Sequence, residues 1–250
     1  MAGTVLGYRE PTFPLHPSSD LRELSPVCFS AQADLVAGVV IGAVGVDTLR
    51  HVRRRTELPL AALPVVLAAH QLIEVIVWRE PDVPHSVWRT AVWLYLVIAF
   101  GVVPILVPVA VGALEPVANR RRVAVFTIIA TVVAGMLLWA VVRGPIVARV
   151  EAHQINYRVE LWQGGVLVAL YLLATSGSLL MSSLRYVRIF GAVNFAAAAV
   201  LAWLNQSGFI SLWCVWAAVT SLGIAIHLRR EVGDPQSRAR SSTFEAGRPG

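Results

Sequence analysis

Residues 58–78 read LPLAALPVVLAAHQLIEVIVW, a nearly unbroken apolar run that carries His70, Gln71 and Glu74 in its second half. At about 1.5 Å per residue such a run makes roughly 30 Å of helix, the thickness of a bilayer's hydrocarbon core. Polar groups inside it are costly against lipid, so they face other helices or water and mark a candidate site. This stretch decides the class: an all-α membrane protein.

The rest of the chain agrees. Of 250 residues, 56% are hydrophobic and only 14% charged, whereas soluble domains carry roughly 25% charged residues. All 21 basic residues are Arg. With no Lys, a retinal pigment or pyridoxal enzyme linked through a Schiff base is excluded, as is a P-loop, and no cofactor is expected. The net charge of +6 comes from short Arg clusters beside apolar runs. That is a topogenic pattern, so membrane lipids rather than nucleic acid are the expected partners. Cys28 and Cys214 make no metal-type pair in sequence, and a disulfide between them stays open.

Seven apolar runs are legible: 31–49, 58–78, 91–114, 123–142, 161–184, 189–204 and 209–228. The first has Gly38, Gly42 and Gly45 on a small-residue face that admits a close helix neighbour. The third contains Pro104 and Pro108, which predict a kink. Residues 143–160 alternate loosely and suit a small β-hairpin on the membrane surface. Residues 1–27 are polar and Pro-rich without a signal-peptide pattern, and 231–250 are charged and rich in Ser and Gly; both are expected to be disordered. The membrane domain is expected over 28–230.

Arginine counting sets the orientation. Arg50, Arg53, Arg54, Arg55, Arg120, Arg121, Arg122, Arg185, Arg188, Arg229 and Arg230 flank one side; Arg79, Arg89, Arg143, Arg149 and Arg158 flank the other. Eleven against five predicts a seven-transmembrane-helix bundle with the N-terminus outside and the C-terminus in the cytoplasm.

Cys28-Phe29-Ser30-Ala31, His70-Gln71-Leu72-Ile73-Glu74 and Leu212-Trp213-Cys214-Val215-Trp216-Ala217-Ala218 together resemble an uncharacterised family of actinobacterial multi-pass membrane proteins, a domain of unknown function. Its members typically begin Met-Cys-Phe-Ser-Ala. The resemblance covers about residues 28–230 and implies a bacterial plasma-membrane location without an activity. It also implies that translation can start at Val27, leaving residues 1–26 outside the native protein.

His70 and Glu74, four apart, share one helix face. The predicted topology places them and Gln71 in the outer half of the membrane, level with Asp34 of the first run and near Ser211, Trp213 and Cys214 of the seventh. Asp34 and Glu74 should face the interior, with His70 as a partner. Three readings follow. The first is an outward-facing polar pocket for a small molecule or lipid in a binding or transport-type bundle. The second is a metal-dependent intramembrane hydrolase using His70, Glu74 and Asp34, although a catalytic zinc site wants three His or carboxylate ligands and only His70 lies in the interior of a run, His227 being at the cytoplasmic end of the last. The third is a structural or accessory subunit whose polar groups fix helix packing. Other features have plain structural explanations. Trp78, Trp88, Trp93, Trp162, Trp203 and Trp213 read as an interfacial belt. Asp47 suits a pair with Arg50, and Asn194, Thr175, Ser176 and Ser178 suit interhelical hydrogen bonds.

Overall fold

A computed structural model describes residues 31–151, 154–159, 164–204 and 209–233, with the side chains of 81, 147, 149–151, 154, 156, 158, 198–204, 209–216 and 230–233 outside the description. The expected N-terminal extension 1–27 lies outside the described residues, as do Cys28 and most of the expected tail.

α1 (Ala31–Arg50) and α2 (Leu58–Trp78) pack antiparallel as the closest pair in the bundle. The small-residue face explains why. A Cβ on Gly38 would come 2.8 Å from the Leu72 side chain, one on Gly42 3.6 Å from the Ala68 Cβ, and one on Gly45 3.0 Å from the Val65 backbone nitrogen. The Thr48 hydroxyl bridges the same seam, contacting the Gly45 carbonyl at 2.7 Å and the Ala61 carbonyl at 3.0 Å. The two outer glycines differ in what they touch. Leu72 can rotate away from an added methyl, but backbone cannot. Gly45→Ala should therefore cost about 1–3 kcal/mol from overpacking. Gly38→Ala should stay near neutral, helped by about 1 kcal/mol of helix propensity. Thermal unfolding of the two variants in detergent checks this, and equal losses would refute it.

The third run begins earlier than expected, at His85 rather than residue 91. Pro84, with φ fixed at −55°, stands at the N-cap, and its carbonyl accepts the Trp88 N–H at 3.0 Å. α3 (His85–Val97), a π-helical turn (Ile98–Val102) and α4 (Val103–Leu114) form one 30-residue rod. The expected kink takes the form of that π turn, for a local reason. The Val103 N–H bonds the Ile98 carbonyl, and Pro104 has no N–H to continue the i→i+5 pattern to Ala99. The Ala99 carbonyl is met instead by the Tyr171 hydroxyl at 3.1 Å.

α5 (Arg120–Arg143) starts on the arginine cluster itself, since Arg is a good helix former. β1 (Ile146–Glu151) and β2 (Gln154–Val159) pair antiparallel, Ile146 opposite Val159 and Glu151 opposite Gln154. α6 (Gly164–Leu180) is shorter than its apolar run, and α7 (Arg185–Leu204) starts on Arg185. α8 (Phe209–Gly233) continues past the expected end at residue 228.

The junction between α6 and α7 is set from a distance. Glu115, buried just beyond α4, accepts hydrogen bonds from the Ser183 N–H at 2.9 Å and from the hydroxyls of Ser182 and Ser183. The serines turn toward that carboxylate, which stops α6 and places a negative charge at the N-terminus of α7. Burial alone would raise the Glu115 carboxyl, but the hydrogen bonds from Ser182, Ser183 and Leu184 outweigh it and hold the group below the usual 4.5.

Among the described residues, four segments are long and apolar enough to cross a membrane: Ala31–Arg50, Arg55–Trp78, His85–Leu114 and Arg120–Arg143; Gly164–Leu180 and Ala217–Arg229 are shorter apolar helices. Val36, Val39, Ile128, Val132 and Val142 stand exposed while Asp34, Gln71, Glu74 and Ser176 are buried. Apolar outside and polar within is the distribution lipid favours.

Two expected polar pairings resolve differently. Asp47 pairs across the bundle with Arg229 of α8 at 2.8 Å, and with His51 one turn on, instead of with Arg50. The i, i+3 partner loses because α8 brings a guanidinium directly to the carboxylate. Thr175 donates to the Tyr171 carbonyl at 2.9 Å and Ser178 to the Thr175 carbonyl at 2.7 Å, so both bond within α6 rather than across helices.

Candidate functional site

The hairpin folds onto the end of the bundle where α2 finishes and α3 begins. Strand alternation points Ile155, Tyr157 and Val159 to one face. Ile155 and Ala148 are buried in the same cluster as Val77, Trp88, Val92, Tyr95 and Leu96, with Tyr157 packed against it. The hairpin therefore covers the polar half of α2.

Beneath it, α1 contributes Asp34, α2 contributes His70, Gln71 and Glu74, α3 contributes Tyr95, and β2 contributes Tyr157. Asp34 accepts a 2.7 Å hydrogen bond from the Trp78 indole N–H. Trp78 is thus a partner for the site as well as a member of an aromatic belt. Trp88 similarly donates to the Val77 carbonyl at 3.2 Å. The His70 imidazole stacks on Tyr95 with ring centres 3.9 Å apart, and Tyr95 stacks on Tyr157 at 4.5 Å. Three rings from three elements form one column.

His70, Gln71 and Glu74 are 7%, 1% and 1% exposed, so the cluster is closed. Its polar atoms are nonetheless unmatched. The His70 Nε2, the Gln71 Oε1, both Glu74 carboxylate oxygens and the Tyr157 hydroxyl are buried without a hydrogen-bond partner among the described residues. The anticipated His70–Glu74 bond does not form, because the imidazole is committed to the Tyr95 ring face. Tyr95 leans toward the Glu74 carboxylate, and Asp34 is close enough for its charge to act there. Tyr157 is held well above its ordinary value, first by burial and then by the charges of Glu74 and Asp34. It therefore remains a proton donor throughout the physiological range. Buried donors and acceptors ordinarily find a partner, and these do not find one in each other.

Of the sequence candidates, Asp34, His70, Gln71 and Glu74 converge. Ser211, Trp213 and Cys214 belong to α8, but their side chains lie outside the described residues. Tyr95 and Tyr157 were missed. Both carried a signal: Trp88, Val92 and Tyr95 recur at helical spacing, and Ile155, Tyr157 and Val159 at strand spacing. Among the described residues, no three His, Cys, Asp or Glu side chains are grouped so that they could hold a metal ion.

A second space lies toward the arginine-rich end. It is an apolar cavity of about 400 Å³ between α2, α4, α6, α7 and α8.

The model of the family of unknown function DUF6629 matches residues 27–240, and the chain belongs to that family. No curated protein and no solved structure matches it.

Proposed function

We propose that this protein is a seven-span plasma-membrane protein, N-terminus outside and C-terminus in the cytoplasm, that binds or transports a small cationic or N–H-donating molecule. The ligand site is the closed cluster of Asp34, His70, Gln71, Glu74, Tyr95 and Tyr157, with the hairpin over it. The reading rests on one observation: five buried polar atoms on His70, Gln71, Glu74 and Tyr157 lack partners. Most are acceptors, which calls for a ligand rich in N–H groups. An ammonium or guanidinium group meets that demand, and its charge offsets the carboxylates. The arginine asymmetry supports the orientation, and the apolar length of α1 to α5 supports the membrane setting.

The hydrolase reading has no comparable support, because Asp34, His70 and Glu74 do not group around a metal position. No residue is assigned a catalytic role.

The test is ligand-dependent stability in nanodiscs. Methylammonium, choline and low-millimolar guanidinium are compared with sodium chloride at matched ionic strength. A ligand at 100 times its Kd stabilises by about 2.7 kcal/mol. At least one probe should therefore raise the melting temperature by several degrees, and Asp34→Asn combined with Glu74→Gln should abolish the shift. No shift with any probe, or a shift that survives in the double variant, rejects the proposal.

A further inference from the structure

The apolar cavity carries a separate inference, independent of the polar cluster. Its walls include Leu67, Val107, Leu179, Phe190 and Ile224. Two of the hydroxyls there are committed to backbone: Tyr171 donates to the Ala99 carbonyl and Thr175 to the Tyr171 carbonyl. Ser176, Asn194, Thr220 and His227 also reach the wall, but the lining is mostly hydrocarbon. About 400 Å³ falls within the roughly 300–1,000 Å³ range of ligand pockets. Water gains little in such a space, and leaving it empty is destabilising.

The cavity is bordered by a sparsely packed seam. In their described portions, 185–197 and 217–229, α7 and α8 barely touch each other, and both line the space. At the arginine-rich end the gap is bridged by the rings of Tyr186 and His227, with centres 4.5 Å apart. Arg185 and Arg188 are exposed on the same turn of α7 as Tyr186. A greasy slot between two helices with cations at its rim matches one kind of molecule.

We infer that the slot between α7 and α8 holds one aliphatic chain of an anionic amphiphile, its head group against Arg185 and Arg188 and its tail in the cavity. The chemistry is shared by an anionic phospholipid and a free fatty acid. The chain enters sideways from the bilayer past Tyr186, and fills space that the protein's own side chains leave open.

Gly223 and Thr220 supply the test, because both line the cavity and a Cβ at Gly223 meets nothing within 4 Å. Gly223→Leu and, independently, Thr220→Leu one turn away each add hydrocarbon at the cavity wall. Delipidated wild-type protein is titrated with dioleoyl phosphatidylglycerol, oleate or dioleoyl phosphatidylcholine, and melting temperature and retained lipid are measured. Phosphatidylglycerol, oleate or both should raise the wild-type melting temperature by several degrees and leave about one mole bound. Whichever anionic probe acts identifies the source, and phosphatidylcholine should act more weakly. In either leucine variant the lipid-free protein should melt higher and respond little. Arg185→Gln with Arg188→Gln should erase the preference for the anionic probes. No lipid response in the wild type, or the same response in wild type and both leucine variants, overturns the inference.

Discussion

Replacing Glu115 by alanine is expected to lower the stability of the bundle by about 3 kcal/mol. The side chain is buried and its carboxylate accepts from the Ser182 hydroxyl and from both the N–H and hydroxyl of Ser183. Hydrogen bonds to a charged group contribute roughly 1.5–3 kcal/mol each and are not additive. The loss also strips the start of α7 of a favourable negative charge, a term of up to about 1 kcal/mol. Glu115→Gln should fall between alanine and wild type, since an amide keeps one acceptor. The pH dependence has a definite sign. The Glu115 carboxyl is more acidic folded than its ordinary 4.5. The stability it contributes is therefore complete above about 4.5 and is lost as pH falls through the lower folded value. Wild type should weaken in acid more steeply than Glu115→Ala. Parallel pH profiles would show that the carboxylate does not hold the α6–α7 junction.

Glu74→Leu should have the opposite effect on stability. Tyr95 lies near the Glu74 carboxylate, but among the described residues no hydrogen bond of ordinary length reaches either oxygen, and the side chain is 1% exposed. An unsatisfied buried group costs about 1–3 kcal/mol, more when charged, and an apolar side chain of similar size avoids that cost. Ligand-free Glu74→Leu should therefore be more stable than wild type by about 1–3 kcal/mol, and should lose the response to ammonium probes. Stability given up at a site is what a binding role predicts. If the cluster served only to tie helices together, the substitution would break a bond and destabilise instead. A measured loss of stability in ligand-free protein would thus favour the packing role and sink the proposed site.

Much of the site was legible because α2 is so uniform. Against a background of Leu, Val, Ala and Ile, three polar residues at 70, 71 and 74 stand out, and helical spacing alone puts His70 and Glu74 on one face. The Gly38, Gly42 and Gly45 pattern likewise announced a close neighbour, and α2 is that neighbour. What could not be read was the partner of each polar group. Asp47 had Arg50 nearby in sequence and chose Arg229 on α8. His70 had Glu74 one turn away and stacked on Tyr95.

The chain by itself determined the segments apolar and long enough to cross a membrane, most of the helix pattern and the four polar residues that meet in the α1–α2 half of the candidate site. These follow from composition and local periodicity, which act within one segment at a time. Only the tertiary structure decided that a hairpin closes over residues 70–74, that Tyr95 and Tyr157 complete the cluster, and that Glu115 ends α6 from across the chain. It alone revealed the apolar cavity between α2, α4, α6, α7 and α8. Each of these is a contact between segments far apart in sequence, fixed by the shapes of packed helices. Residues 58–78 announced a span with a polar face; the fold supplied what that face meets.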